Sequence, residues 1–347
     1  MADAIATIVI AVFVGASSVS PEAGPVQSAT LLRMKRVATL APAFASAAPS
    51  AMRHEPLPRP SVVEAAVRLL GDDDPGVVQA CADRLIGWGE SSRRAIERAA
   101  RDSDPRVRVR ARALLRTLTI RTATDAFVAA VTESRLGRRP RGVLESGLIA
   151  LHDFVVARPA DPDGWLATLD AAARQLEPLV RGRATTTCAR HLEQTLGRTY
   201  GLVGAGDETA GDRRFPDAVL RHGRGSSAML AAIYLLVARR AGLDVSAVRL
   251  PGYVLVRIHG RRRVLVDPFH GGRTVTRTDC LRYLRDLGEP AGLEVLADIP
   301  DVDVLAAVVE DLADHSRDPE IRLALFTALE RAATRHVADS WRGDAVG

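Results

Sequence analysis

Arg221-His222-Gly223-Arg224-Gly225-Ser226-Ser227 leads into Ala228-Met229-Leu230-Ala231-Ala232-Ile233-Tyr234-Leu235-Leu236-Val237-Ala238, and the run closes on Arg239, Arg240 and Gly242. The middle stretch is apolar on every side. A helix of that kind belongs inside a core, not on its surface. Its end is written in the same residues: two cations meet the negative end of the helix dipole, and a glycine can take the left-handed conformation that terminates it. The residues before Ala228 read as a turn, and Phe215–Leu220 before them as a short helix.

Downstream, Tyr253–Ile258 and Val264–Asp267 are strand-like and are joined by His259-Gly260-Arg261-Arg262-Arg263. A hairpin centred near Gly260 would set Val256 opposite Val264 and Tyr253 opposite Asp267; a one-residue slip would turn every side chain to the wrong face. A buried helix with a small polar residue at its N-terminus, followed by a hairpin, is the plan of papain-like cysteine chemistry. There a thiolate sits at the helix N-terminus, whose dipole lowers its pKa. A histidine from the first strand takes the proton, and a carboxylate on the next strand orients the imidazole.

Four motifs narrow this plan to a family. Arg224-Gly225-Ser226-Ser227, Ala238-Arg239-Arg240-Ala241-Gly242-Leu243, Leu250-Pro251-Gly252-Tyr253-Val254-Leu255-Val256-Arg257 and Asp267-Pro268-Phe269-His270-Gly271-Gly272 stand in the order and spacing of the SirB1 family of the transglutaminase-like superfamily, which the chain resembles. Thr278-Asp279-Cys280-Leu281 is similar to that family's continuation. The strong resemblance covers roughly residues 215–287, and a weaker helical similarity reaches back to about residue 125. It implies that the superfamily's nucleophilic cysteine falls on Ser227, its histidine on Tyr253 and its aspartate on Asp267. Only the aspartate matches. SirB1-like sequences generally lack the cysteine, and this chain departs further by lacking the histidine.

The residues at those positions are poorly suited to catalysis. A serine hydroxyl has no useful anionic fraction at neutral pH and needs a base. A tyrosine, with a reference pKa of about 10, is a poor one. Ser226 or Ser227 is expected instead to cap the buried helix. Asp267 is expected to be held by Tyr253 or by the amides of the turn that follows it. His270, the one histidine in the Asp267–Gly272 motif, is a possible accessory base, but its place before two glycines suits a loop role better. Cys188 and His191 share a helical face without a third member, and Gly223-x-Gly225 lacks the rest of a phosphate loop. No metal-ligand cluster and no cofactor site is legible.

Asp72-Asp73-Asp74-Pro75-Gly76-Val77-Val78 is followed thirty residues later by Asp102-Ser103-Asp104-Pro105-Arg106-Val107-Arg108. Each pairs an aspartate N-cap with proline at the first helical position, where the missing N–H costs nothing. Each then carries an apolar stripe: Val77, Cys81 and Leu85, then Val107, Ala111 and Leu115. Asp318-Pro319-Glu320-Ile321-Arg322 opens a third such start. These segments resemble short HEAT-like repeats, which stack into solenoids. A further helix is expected from Ser61, with Ser61 and Glu64 as a capping box.

The chain has 347 residues, 47% of them hydrophobic and 26% charged, which is the balance of an ordinary globular protein. Its net charge of +5 rests on arginine, since Lys35 is the only lysine. Acidic residues are mixed among the arginines, and the alternate run Arg106, Arg108, Arg110, Arg112 spreads around a helix, so nucleic-acid binding is not expected. Three scattered cysteines make neither a disulfide framework nor a zinc site and fit a reducing compartment. The apolar run Ala4–Ala16 is shorter than the ~20 residues of a spanning helix. A weak export signal, an unfolded tail or a true start at Met52 remain open for the first residues, and a tail fits the composition best.

The expectation is therefore a cytoplasmic, mostly helical α+β protein. Residues 1–60 form a tail or weak export signal, 61–120 HEAT-like repeats and 121–212 a helical region leading into the core. Residues 213–288 form the transglutaminase-like core, and 289–347 a helical repeat and tail. The expected role is a non-catalytic protein-interaction or regulatory scaffold whose repeats bind a protein partner. The alternative is a cysteine-independent hydrolase or acyltransferase acting on amide bonds.

Overall fold

The computed structural model describes residues 58–138, 141–154, 162–205, 215–289 and 294–343. The export-signal and Met52 readings, the breaks at Pro140 and Pro159, and most of the loop expected before Phe215 lie outside these residues. The chain divides into two units at the Leu118–Thr119 bond.

The first unit holds α1 (Pro60–Arg68), α2 (Pro75–Trp88), α3 (Glu90–Ala99) and the first half of α4 (Pro105–Arg135). Asp74 Oδ1 accepts from Gly76 N at 2.7 Å, and Asp104 Oδ1 accepts from Arg106 N at 2.8 Å, so the two Asp-Pro starts are capped alike. Asp72 and Asp102 repeat a second contact, each accepting from the amide two residues on. The helices then bury Leu70, Leu85, Ile96 and Ala111 in one cluster. Leu114 is buried in the same cluster, and Leu115, half-buried, packs against it. The alternate arginines have local work: Arg108 donates to the carbonyls of Asp102 and Ser103, Arg110 to those of Leu70 and Asp72, and Arg112 to that of Ala100. The Ser61–Glu64 capping box does not form. Pro60 takes the first helical position, so Ser61 already lies inside α1, and Glu64 pairs with Arg98.

In the second unit, α4 is followed by α5 (Val143–Leu151), α6 (Pro162–Val180) and α7 (Thr185–Leu192), which runs on as a π-helical turn over Glu193–Thr199. Two short strands, β1 (Val203–Gly204) and β2 (Arg224–Gly225), pair in parallel around α8 (Pro216–His222). The apolar run then forms α9 (Ser227–Arg240), buried from Ser227 through Ala238. Its terminal cations are tied down by carboxylates: Arg239 grips Asp301 with two bonds of 2.7 Å, and Arg240 bonds Asp170 and Glu145.

β3 (Val245–Leu250), β4 (Tyr253–Ile258), β5 (Val264–Asp267), β6 (Arg273–Val275) and β7 (Asp298–Ile299) make one antiparallel sheet in the order β6-β5-β4-β3-β7. Pro251-Gly252 turns β3 into β4, with Gly252 at φ +75° as the second residue of a type II turn requires. The β4–β5 hairpin pairs Val256 with Val266 and Ile258 with Val264, not Val256 with Val264. Its centre is Arg261, two positions from the expected register. That register sets the last apolar residue of β4 against the first of β5 and leaves the polar residues 259–263 in the loop. An even shift keeps every side chain on its face.

The sheet is covered on both sides. Val254, Val256, Ile258 and Val266 face the α9 core. Val248, Leu250, Leu255 and Leu265 pack with Cys280 and Leu284 of α10 (Arg277–Asp286). α11 (Asp301–His315) packs on α9, and α12 (Pro319–Gly343) follows; Asp318 Oδ1 accepts from Glu320 N at 3.0 Å at its start. The mostly helical α+β class is what the sequence leads one to expect.

The π-helical turn presses Gly197 onto the loop after β5. A Cβ there would lie 1.8 Å from the Gly271 carbonyl oxygen. Because the obstacle is backbone, Gly197→Ala must push the two segments apart, at a cost of about 1–3 kcal/mol for overpacking. The expected result is a urea midpoint below that of the wild type; an unchanged midpoint would show that these segments are not held in contact.

Candidate functional site

The loop after β5 is built around one carboxylate. Asp267 is 5% exposed and ends its strand. Its Oδ1 accepts from Phe269 N at 3.0 Å and His270 N at 3.3 Å, the caps of a single 3₁₀ turn over Pro268–His270. Its Oδ2 lies 2.6 Å from His270 Nδ1. The chain then reverses through Gly271 and Gly272, and Gly272 N closes onto the Asp267 carbonyl at 2.8 Å. Of the two supports expected for Asp267, the turn amides hold it; among the described residues no hydrogen bond joins it to Tyr253.

Tyr253 opens β4 and packs on the α10 side of the sheet. Its ring is near-parallel to the His270 imidazole, with centroids 6.1 Å apart, and meets Phe269 and Tyr283 edge-on at 5.4 and 5.5 Å. Tyr283 Oη donates to the Pro251 carbonyl at 2.8 Å, which pins the β3–β4 turn to α10. The ring thus fills the corner where the sheet, the Asp267 loop and α10 meet.

Ser226 is the N-cap of α9, its Oγ accepting from Met229 N at 3.3 Å. Ser227 holds the sheet instead. Its buried Oγ accepts from Val254 N at 2.8 Å, tying the start of α9 to the residue after Tyr253. So the structure gathers Tyr253, Asp267 and His270, and brings Ser227 to the adjoining backbone. Among the described residues no hydrogen bond links Ser227 to any of the other three.

Two features of this region are silent in the sequence. Tyr234 lies two turns along α9 from Ser227, is fully buried, and its hydroxyl has no hydrogen-bond partner among the described residues. Burial, reinforced by the negative charges of Asp267 and Glu193, pushes this phenol far above its usual pKa. A second polar cluster joins Ser246 of β3, His259 just after β4 and Asp298 of β7. Ser246 Oγ lies 2.8 Å from His259 Nε2 and donates to Asp298 Oδ1 at 2.6 Å. Arg257 grips the same carboxylate. The three residue types are those of a hydrolytic triad, but Asp298 meets the serine and the Nε2 side of the ring, so it does not orient His259 as a triad carboxylate does.

The thiols are poor nucleophile candidates. Cys188 is buried and lies within reach of the Val180 and Arg183 carbonyls at 3.6 and 3.7 Å; burial pushes its pKa up. Cys280 is raised as well, first by burial and then by the charges of Asp279 and Asp267. Among the described residues no group of three His, Cys, Asp or Glu side chains is placed to hold a metal ion, and no helix is long and apolar enough to cross a membrane.

An N-terminal position on a buried helix, an antiparallel sheet against it and an aspartate ending the second strand of its hairpin are the parts of a transglutaminase-like core. Residues 163–309 match the family model described as the transglutaminase-like superfamily, and this stretch is such a domain. It runs from α6 to α11 and contains the whole five-stranded sheet. No curated protein and no solved structure matches the chain.

At neutral pH, iodoacetamide should modify the half-buried Cys81 well before Cys188 and Cys280, because the thiolate is the reacting form and burial suppresses it. Peptide mapping after a timed pulse reads this directly. Equal labelling of Cys188 in the folded protein would show a more open and more acidic thiol than the structure describes.

Proposed function

We propose that this transglutaminase-like domain is a non-catalytic member of the SirB1 type, acting as a protein-interaction or regulatory scaffold. The observation that carries this reading is the bonding at the position of the lost cysteine. Ser227 Oγ is spent on the Val254 amide, residue 253 is a tyrosine stacked into a corner, and the retained aspartate caps its own turn. None of the three has a partner that would make a nucleophile. The helices of residues 58–118, with their two alike-capped Asp-Pro starts, support a HEAT-like surface for a protein partner. Intact cores on both faces of the sheet fit a domain kept for its shape.

One observation favours a hydrolase or acyltransferase instead. His270 is 43% exposed and its Nδ1 meets a buried carboxylate, the pairing that leaves Nε2 available as a base. What this second reading lacks is a nucleophile bonded to that imidazole.

An electrophilic probe for activated hydroxyls separates the two. The scaffold reading predicts no labelling of Ser226 or Ser227 in the wild type. It also predicts that Ser227→Cys with Tyr253→His creates a thiol whose alkylation persists well below the usual thiol pKa of about 8.5, since the helix start, the Val254 amide and an imidazole all favour the thiolate. Stoichiometric labelling of wild-type Ser227 would make the hydrolase reading correct.

A further inference from the structure

His270 is the exposed end of a buried set of bonds. Its side chain is 43% exposed, whereas that of Asp267 behind it is 7% exposed. Three contacts hold the ring. Nδ1 lies 2.6 Å from Asp267 Oδ2, Tyr253 stacks near-parallel at 6.1 Å, and Phe269 meets it at 5.4 Å with the planes 73° apart. The backbone beneath is held too: His270 N donates to Asp267 Oδ1, and Gly272 N to the Asp267 carbonyl. A group positioned in advance gives up less freedom when it reacts.

The same bonds decide which ring nitrogen is reactive. Asp267 accepts two amide protons at Oδ1, and an ionised carboxylate can only accept. Nδ1 therefore donates to Oδ2, and Nε2 of the neutral ring carries the lone pair. Among the described residues no hydrogen bond engages Nε2. An imidazole so placed can itself be the nucleophile, with no serine or cysteine beside it. A cation stands on the neighbouring strand. Arg273 is directly opposite Asp267 in the β5–β6 pair, so the two side chains leave one face with Cβ atoms about 5 Å apart. Arg273 is exposed and forms no ion pair among the described residues.

We propose that His270 is a phosphoryl-acceptor site, modified on Nε2 by a small acyl phosphate. Nε2 attacks phosphorus, the bond from phosphorus to the acyl oxygen breaks, and the carboxylate leaves with its electron pair. No proton has to be supplied. The ring becomes a phosphorylated imidazolium whose Nδ1 proton stays on the bond to Asp267, and that carboxylate stabilises the positive charge. Arg273 favours this over acyl transfer to the same nitrogen. A phosphoryl group brings negative charge for the guanidinium to meet, whereas an acyl group brings none. The reaction needs only the imidazole and its neighbours, so it is independent of whether the domain is a scaffold or a hydrolase.

Timed exposure of the full chain to acetyl phosphate, followed by peptide mapping at neutral pH, tests this. One phosphoryl mass is expected on the His270 peptide, stable in base and lost in acid. It should form well before any on His222, an exposed histidine bonded to no carboxylate among the described residues. Asp267→Asn keeps an acceptor for the turn amides but turns an N–H toward Nδ1, which moves the ring proton to Nε2. Phosphorylation should then fall at least about tenfold, as a wrong tautomer requires. Arg273→Ala should slow it while leaving the thermal midpoint unchanged, the side chain being exposed. Unfolding the wild type in urea should abolish the preference for His270, a readout that does not depend on how the variants fold. The proposal is overturned by no adduct, by equal labelling of His222 in the folded protein, or by Asp267→Asn reacting like the wild type. An acetyl group on His270 in place of the phosphoryl, or a hydroxylamine-sensitive phosphoryl on Asp267, would also overturn it.

Discussion

The carboxylate of Asp267 is the point on which the rest of the site depends. It is buried, and a buried charge must be bonded on all sides or it destabilises the fold. Two turn amides and an imidazole satisfy it within three residues of sequence. In a working triad a carboxylate reaches across to a histidine on the neighbouring strand. Here Tyr253 stands on that strand and makes no hydrogen bond to it, and the carboxylate turns back to serve its own loop. The turn it forms carries Phe269 against β1 and sets Gly271 against Gly197 and Gly272 against Tyr234 and Glu193, where a Cβ on Gly197 or Gly272 would be crowded.

α9 and the sheet are joined in the same economical way. Ser227 is the first residue of α9, and its oxygen serves as an acceptor for β4. A hydroxyl there secures the helix start to the strand, and its neighbour Ser226 caps the helix. Tyr234, deeper in α9, is buried with a hydroxyl that finds no hydrogen-bond partner among the described residues, as does the Trp165 indole N–H in the same core.

Much of this was legible in the residues. An eleven-residue run with no polar break besides Tyr234 can only be a central helix, and Arg239, Arg240 and Gly242 marked its end. The Asp-Pro starts were legible because capping is local chemistry: the aspartate, the proline and the amide it satisfies lie within three positions. What the sequence concealed is what depends on distant partners. β3 reads as a mixed, half-polar stretch because Arg249 faces outward and Ser246 bonds His259 and Asp298 from other strands. The Ser61 box failed because Pro60 outranked it for the first helical position. The hairpin register moved by two because a loop of five polar residues avoids placing Arg262 in the ladder. In the site, Asp267 and its motif stood out, whereas the stacking of Tyr253 on His270 and the bond from Ser227 to β4 rest on how separate segments pack.

A double-mutant cycle on Asp267 and His270, read by urea denaturation, tests the central claim most directly. Asp267→Ala, His270→Ala and the double variant are compared with the wild type. If the carboxylate is a structural anchor, Asp267→Ala alone costs about 1–3 kcal/mol by leaving buried amides unpaired, and the pair shows a coupling of at least about 0.5 kcal/mol. A midpoint for Asp267→Ala indistinguishable from wild type, with effects that simply add, would contradict the account.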